Sequence, residues 1–260
     1  MKAVIVNADD FGLSEEVNKG ILEAFSAGVL SSATILANGG AFEEAASFAR
    51  RNRRFGFGLH LNLTTGRSLT LGMKEMQKSF LKKALLGIVD QKAVKHELRS
   101  QIEKALDAKI RLTHLDGHHH VHVFPIITPI VLDLAEEFKI KKIRLPSEPV
   151  SSKRILQTTL LKILSTRAKK QFLAYKVLCP NYFRGIALTG SLDVENFKNI
   201  LKTLKPGVTE IMCHPGYASK DSLTKLNKER ELELATLKDP SILNYIKEQR
   251  ISILHYGDLK

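Results

Sequence analysis

His114, Asp116, His118, His119, His120 and His122 lie together in the short stretch Thr113–Pro125, which holds five of the nine histidines in the chain. Neutral imidazole is the commonest protein metal ligand and titrates near neutrality, so this concentration points to metal-assisted or acid/base chemistry. A metal-scavenging tract or an affinity tag would sit at a terminus or in polar surroundings. This run is central, follows the strand-like segment Ile110–Leu115, and is interrupted by Val121.

Other residues with chemical potential also fall where apolar runs end. Asp9 and Asp10 are adjacent at the end of Ala3–Ala8, and a pair of carboxylates in that position is seldom structural. In Leu59-His60-Leu61-Asn62-Leu63, His60 and Asn62 alternate with leucines and share one face of a strand. A single strand histidine is ordinarily a satisfied interior group, and the other motifs change that weighting. His214 directly follows Thr209–Cys213. Arg144 precedes Leu145-Pro146, where the proline pushes Leu145 into an extended conformation.

The elements that must position these residues alternate regularly. Strands are expected at Ala3–Ala8, Ala33–Ala37, Phe55–Leu63, Ile110–Leu115, Lys142–Leu145, Tyr182–Leu188, Thr209–Cys213 and Ile251–Leu254. Between them, helical spacing runs from Ser14 to Gly28 and over Phe42–Arg53, Met73–Val89, Gln91–Lys109, Ile126–Phe138, Val194–Leu204, Leu223–Leu237 and Pro240–Gln249. Such alternation predicts an α/β fold with a parallel sheet, most simply a closed barrel. In such barrels the carboxyl ends of the strands meet on one rim, so residues distant in sequence become neighbours there.

With 260 residues, 43% of them hydrophobic, the chain can bury a full core, and 1–260 is expected to be a single domain. One segment breaks the rhythm. Residues 151–175 carry Lys153, Arg154, Lys162, Arg167, Lys169 and Lys170 among leucines and isoleucines, and are expected to be a basic amphipathic insertion of one or two helices. It reads as a solvated face over the core, or as a lid or patch meeting anionic lipid or phosphate. The net charge of +13 favours anionic partners in general. Nucleic acid is not expected: the basic residues are scattered, no recognition motif appears, and aromatics make up only 7%. Cys179 and Cys213 show neither metal spacing nor a disulfide framework. The N-terminal apolar run is too short for a signal peptide, and no stretch reaches the roughly 18 apolar residues of a membrane span, so a cytoplasmic protein is expected.

One carboxylate and two imidazoles can hold a divalent ion with positions left open for water and substrate. Asp10, His60 and either His118 or His122 fit that role. Asp9 could then accept a proton from water, and His214 could protonate a leaving group, which together make a metal-dependent hydrolase.

Four segments carry a family resemblance: Asn7-Ala8-Asp9-Asp10-Phe11-Gly12-Leu13-Ser14, Gly58-Leu59-His60, His114–His122 and Met212-Cys213-His214-Pro215. In this order and spacing, from residue 3 to at least 217, the chain resembles the YdjC-like carbohydrate deacetylases. The resemblance implies a distorted TIM-like barrel of about seven strand–helix units, and removal of an N-acetyl group from an amino sugar. It places the metal ligands on Asp10, His60 and His118, the general base on Asp9, and the proton-donating histidine on His214. The ion it implies is magnesium, with zinc as the alternative that imidazoles favour. His122 could replace His118, bind substrate, or support a ligand from behind. Asp116 is expected to orient an imidazole, and Arg144 to meet substrate or support the site. The stretch Arg144–Pro149 with Tyr182-Phe183-Arg184-Gly185 looks closer to the hopanoid-associated branch than to the chitooligosaccharide one. That favours a larger acetylated amino sugar, linked to lipid or nucleotide. A metal-dependent phosphoesterase on the same barrel is the main alternative. The sequence leaves open a homodimer and a peripheral membrane contact.

Overall fold

The computed structural model describes residues 1–70, 79–218, 224 and 226–260. Among them, seven strands form one parallel sheet: β1 (Lys2–Phe11), β2 (Ser32–Ile35), β3 (Gly56–Leu61), β4 (Leu112–Gly117), β5 (Tyr182–Arg184), β6 (Gly207–Cys213) and β7 (Ser252–Ile253). The sheet runs β4-β3-β2-β1-β6-β5 and curls into a half-barrel. The short β7 pairs with β1 at Ala3 and Val4, below the point where β2 takes over at Asn7 and Ala8. The helices α1 (Glu15–Ala27), α2 (Phe42–Arg51), α3 (Ser79–Leu85), α4 (Gln91–Asp107), α5 (Thr128–Glu137), α6 (Ile155–Ala174), α7 (Val194–Lys202), α8 (Lys228–Lys238) and α9 (Pro240–Glu248) lie between the strands in the chain, as parallel strands require a crossover connection. The fold is thus the expected distorted α/β barrel, open on one side.

The differences from the expected elements have local causes. The expected strand at Lys142–Leu145 makes only single bridges, Ile143 to Leu115 and Lys142 to Leu178, and Pro146 follows without an N–H to extend the ladder. The expected strand Tyr182–Leu188 stops at Arg184, where Gly185 takes a φ of 126°. The helix expected over Met73–Val89 is described only as α3, since 71–78 lie outside the described residues, as does Leu223 at the start of the expected Leu223–Leu237 helix. Segment 151–175 is a single helix, α6, after a 3₁₀ turn at Ser152–Arg154. Its Thr158, Leu161, Leu164, Ser165, Ala168 and Phe172 recur every three or four residues and are buried, whereas Leu156 and Ile163 are exposed.

Two packing features hold the rim. Phe11 ends β1 inside an aromatic cluster, 6.1 Å from the Phe48 ring and 6.3 Å from that of Phe57. Burying such a side chain is worth about 1.5–3 kcal/mol, which anchors the strand end that carries Asp9 and Asp10. On α1, a Cβ added at Gly20 would lie 2.4 Å from Gly216 Cα. Only glycine permits this approach, which seats the loop after β6, and with it His214, against α1.

Candidate metal centre

In a regular strand, adjacent side chains point to opposite faces, so consecutive Asp9 and Asp10 should diverge. They do not. The β1–β2 register shifts between Ala8 and Phe11, and Asp10 takes a left-handed φ of 66°. This bulge turns Asp10 so that both carboxylates reach the same group of side chains, at a backbone cost of about 1–2 kcal/mol. A second left-handed turn follows β4, where His119 and His120 have φ of 52° and 57°. It separates the orientations of the histidines on either side of it.

Asp10 Oδ1 lies 3.0 Å from His118 Nδ1 and 3.6 Å from His60 Nε2, and those two nitrogens are 3.3 Å apart. An ion with bonds of about 2.1 Å sets neighbouring ligand atoms about 3.0–3.4 Å apart, so this spacing fits one. The Asp10 Oδ1 atom is buried and has no hydrogen-bond donor, as expected of an atom awaiting a cation. Asp10 Oδ2 is taken by Arg230 Nη2 at 2.6 Å. His60 is fixed from behind by Asp116, whose Oδ1 lies 2.7 Å from His60 Nδ1 and leaves Nε2 facing the centre. Asp9, His60 and Asp116 also come within 4.8 Å of one another. Their atoms are already committed to Arg144 and to the His60–Asp116 bond, so Asp10, His60 and His118 are the group that can hold a metal ion.

His122, the other ligand candidate, bonds the Arg144 carbonyl through Nε2 at 3.0 Å and supports that segment. His114 stacks on Tyr256 with ring centroids 3.6 Å apart, and His119 bonds Thr64. Arg144 is fully buried, so it meets carboxylates and not solvent. Its Nη1 and Nη2 reach Asp9 Oδ2 and Oδ1 at 2.6 and 2.7 Å, Nη1 lies 2.7 Å from Asp116 Oδ2, and Nε donates to Glu210 Oε1 at 2.8 Å.

The titration behaviour follows from this crowding. Burial alone would raise the Asp9 pKa, but the Arg144 guanidinium overrides it and holds the carboxyl well below the usual range. Asp10 is likewise held low against burial, by His118 and Arg230. Burial opposes a charge on His60, yet Asp116 and Asp9 push its pKa up to about 9. Three ionised aspartates against two guanidiniums thus leave excess negative charge, and either a proton on His60 or a cation compensates it. Burial lowers His214 to about 4 despite Asp9 and Asp10, and raises Glu233 and Glu210 to about 7 each. Glu233 accepts the His214 backbone N–H at 2.6 Å, and its Oε2 lies 4.0 Å from His214 Nδ1. His214 is the least buried of these side chains at 12%, so the centre opens on its side.

Sequence reasoning missed Glu210, Arg230, Glu233 and Tyr256, whose hydroxyl donates to Glu210 Oε2 at 2.5 Å. Glu210 carried a signal: it is the one acid inside the apolar strand Thr209–Cys213. Arg230 and Glu233 carried none, because they lie in a run of alternating charges.

A parallel α/β half-barrel with a buried carboxylate–imidazole centre at its carboxyl rim defines a class of barrel enzyme. The YdjC-like protein family model matches residues 3–248, and the chain belongs to that family. A carbohydrate deacetylase of Brevibacillus brevis is 35% identical over 98% of this chain and 99% of its own length. Another, from Geobacillus stearothermophilus, is 34% identical over 98% and 96%. The crystal structure of a putative cellobiose-phosphate cleavage protein of Enterococcus faecalis V583 superimposes with a TM-score of 0.81 at 24% identity, covering 98% of this chain and 97% of that one. That likeness concerns the fold.

Proposed function

We propose that this chain is a metal-dependent deacetylase that removes the N-acetyl group of an amino sugar, carried on an oligosaccharide, a lipid or a nucleotide. The observation behind the reading is the convergence of Asp10 Oδ1, His60 Nε2 and His118 Nδ1, with Oδ1 left without a donor, in a chain whose relatives are named carbohydrate deacetylases. Asp10, His60 and His118 would hold a divalent cation, which would supply the charge to polarise the acetyl carbonyl and acidify water. Asp9, ionised at all working pH and gripped by Arg144, takes the proton of the water that attacks the carbonyl carbon. His214 gives a proton to the amine nitrogen as the C–N bond breaks, releasing acetate and the free amino sugar. Burial lowers the His214 pKa, so its imidazole is neutral at rest, and Glu233 Oε2 faces its Nδ1 at 4.0 Å.

Elemental analysis of the purified protein, with acetate release from a panel of N-acetylated amino sugars, tests the reading. It also decides between magnesium, the ion of the family resemblance, and zinc. His60→Ala and His118→Ala are expected to lose the ion and all measurable turnover. Phosphate release without acetate release would put the phosphoesterase alternative in its place. We further take residues 1–260 as one domain with α6 as an insertion, acting in the cytoplasm, in keeping with two cysteines that form no disulfide. No helix among the described residues is long and apolar enough to cross a membrane. Sedimentation, alone and with liposomes, decides on a homodimer and on a peripheral contact of α6 with lipid.

A further inference from the structure

The face of the sheet opposite the metal centre carries a second concentration of charge. On β5 and β6, Phe183 and Glu210 turn inward to Arg144, so their strand neighbours Tyr182, Arg184 and Thr209 turn outward. There they floor a cavity of about 450 Å³ between α6 and α7. From α6, Lys162, Ser165, Thr166 and Lys169 line one wall, at spacings of three, four and seven that put them on one side of the helix. Lys205, after α7, closes the opposite wall.

Lys162, Lys169, Arg184 and Lys205 surround this space, and among the described residues none of them forms an ion pair. One acid, Glu148, also lines it, but its oxygens accept the N–H groups of Gly185 and Ala187. The Ser165 hydroxyl is fully buried, lines the cavity and has no hydrogen-bond partner. A buried hydroxyl in a helix ordinarily bonds the carbonyl one turn back, as Thr166 does to Lys162. Arg184 Nη1 donates to the Phe183 carbonyl at 3.0 Å and Lys205 Nζ lies 5.9 Å from the Tyr182 ring centroid, which leaves an unused hydroxyl among four cations without an ion pair and room for a strong acceptor.

We propose that the cavity between α6 and α7 binds a phosphate group, carried by a small phosphate ester or a lipid headgroup, at a site separate from the metal centre. Lysines act on phosphate as point charges, Arg184 can fork onto two of its oxygens, and Ser165 adds a hydroxyl whose proton is not already given to a carbonyl. The volume lies in the range of small-molecule sites, larger than a lone anion requires.

The test titrates the full-length protein with inorganic phosphate and with glucose 6-phosphate, exchanged for chloride at constant ionic strength, and follows heat or intrinsic fluorescence. A parallel arm sediments it with phosphatidylcholine vesicles with and without phosphatidylglycerol. Saturable binding in either arm, weakened about tenfold or more in Lys169→Ala/Arg184→Ala, supports the site, and the responding arm shows which source carries the phosphate. Ser165→Ala removes only an unsatisfied hydroxyl, so it should fold normally and still bind several-fold more weakly. Both variants should release acetate from an uncharged acetylated sugar at the parental kcat, so a failed deacetylase reading leaves this test intact. Binding in neither arm, or binding undiminished in all variants, overturns the proposal.

Discussion

Two concentrations of charge lie on opposite faces of one sheet, and they are built differently. At the rim, the Arg144 guanidinium is shared by Asp9, Asp116 and Glu210, His60 also meets Asp116, and Arg230 answers Asp10, all of them out of water. Between α6 and α7, Lys162, Lys169 and Lys205 stand exposed and, among the described residues, without an ion pair. The rim is an arrangement in which each group is needed to tolerate the next, because a buried charge without its partner is costly. The outer cleft is held by the apolar side of α6, and its charges are spectators of folding. A group whose loss unfolds the protein and one whose loss only weakens a ligand can therefore be told apart by burial and pairing before any assay.

The sharpest way to break that contrast is Arg144→Leu. It removes the one guanidinium that Asp9, Asp116 and Glu210 share in the interior and should destabilise the fold by about 3–5 kcal/mol in urea unfolding, with loss of turnover. A loss below about 1 kcal/mol would show that the rim network is no more demanding than a surface. Asp9→Asn comes next. It should keep the bound ion in elemental analysis while acetate release falls about 100- to 1000-fold, and full activity would remove Asp9 as the base.

Protonation of the ion-free centre gives a third, smaller effect. The His60 pKa in the folded chain, about 9, lies above its ordinary value of 6.5. Its stabilisation is therefore complete below about pH 6.5 and is lost as pH rises through 9, on the order of 3 kcal/mol in all. A saturating divalent ion should flatten this dependence and release protons to a pH indicator, since ion and proton compete for the same nitrogen. Equal slopes with and without the ion would separate His60 from the ion site. At the small end, Lys169→Ala should change stability by less than about 0.5 kcal/mol, and a larger change would mean that the outer cleft is structural.

Much of this was legible because chemistry needs particular residue types and a barrel needs apolar strands. Asp9, Asp10, His60, Asp116, His118 and His214 stood out as polar residues at the ends of such runs. Arg144 was visible as a residue, but its burial was not, since nothing around Lys142–Leu145 reveals that three acids from other strands converge on it. Arg230 and Glu233 were hidden by their charged helix, where solvated neighbours look the same in sequence.

The sequence by itself determined the alternation of strand and helix and the stock of acids and imidazoles, because period and residue type are local properties. Only the tertiary structure decided which histidine of the cluster reaches Asp10 and His60 and which supports Arg144. That choice rests on two left-handed residues after β4 and a bulge in β1, conformations that cost energy locally and persist because distant partners fix them.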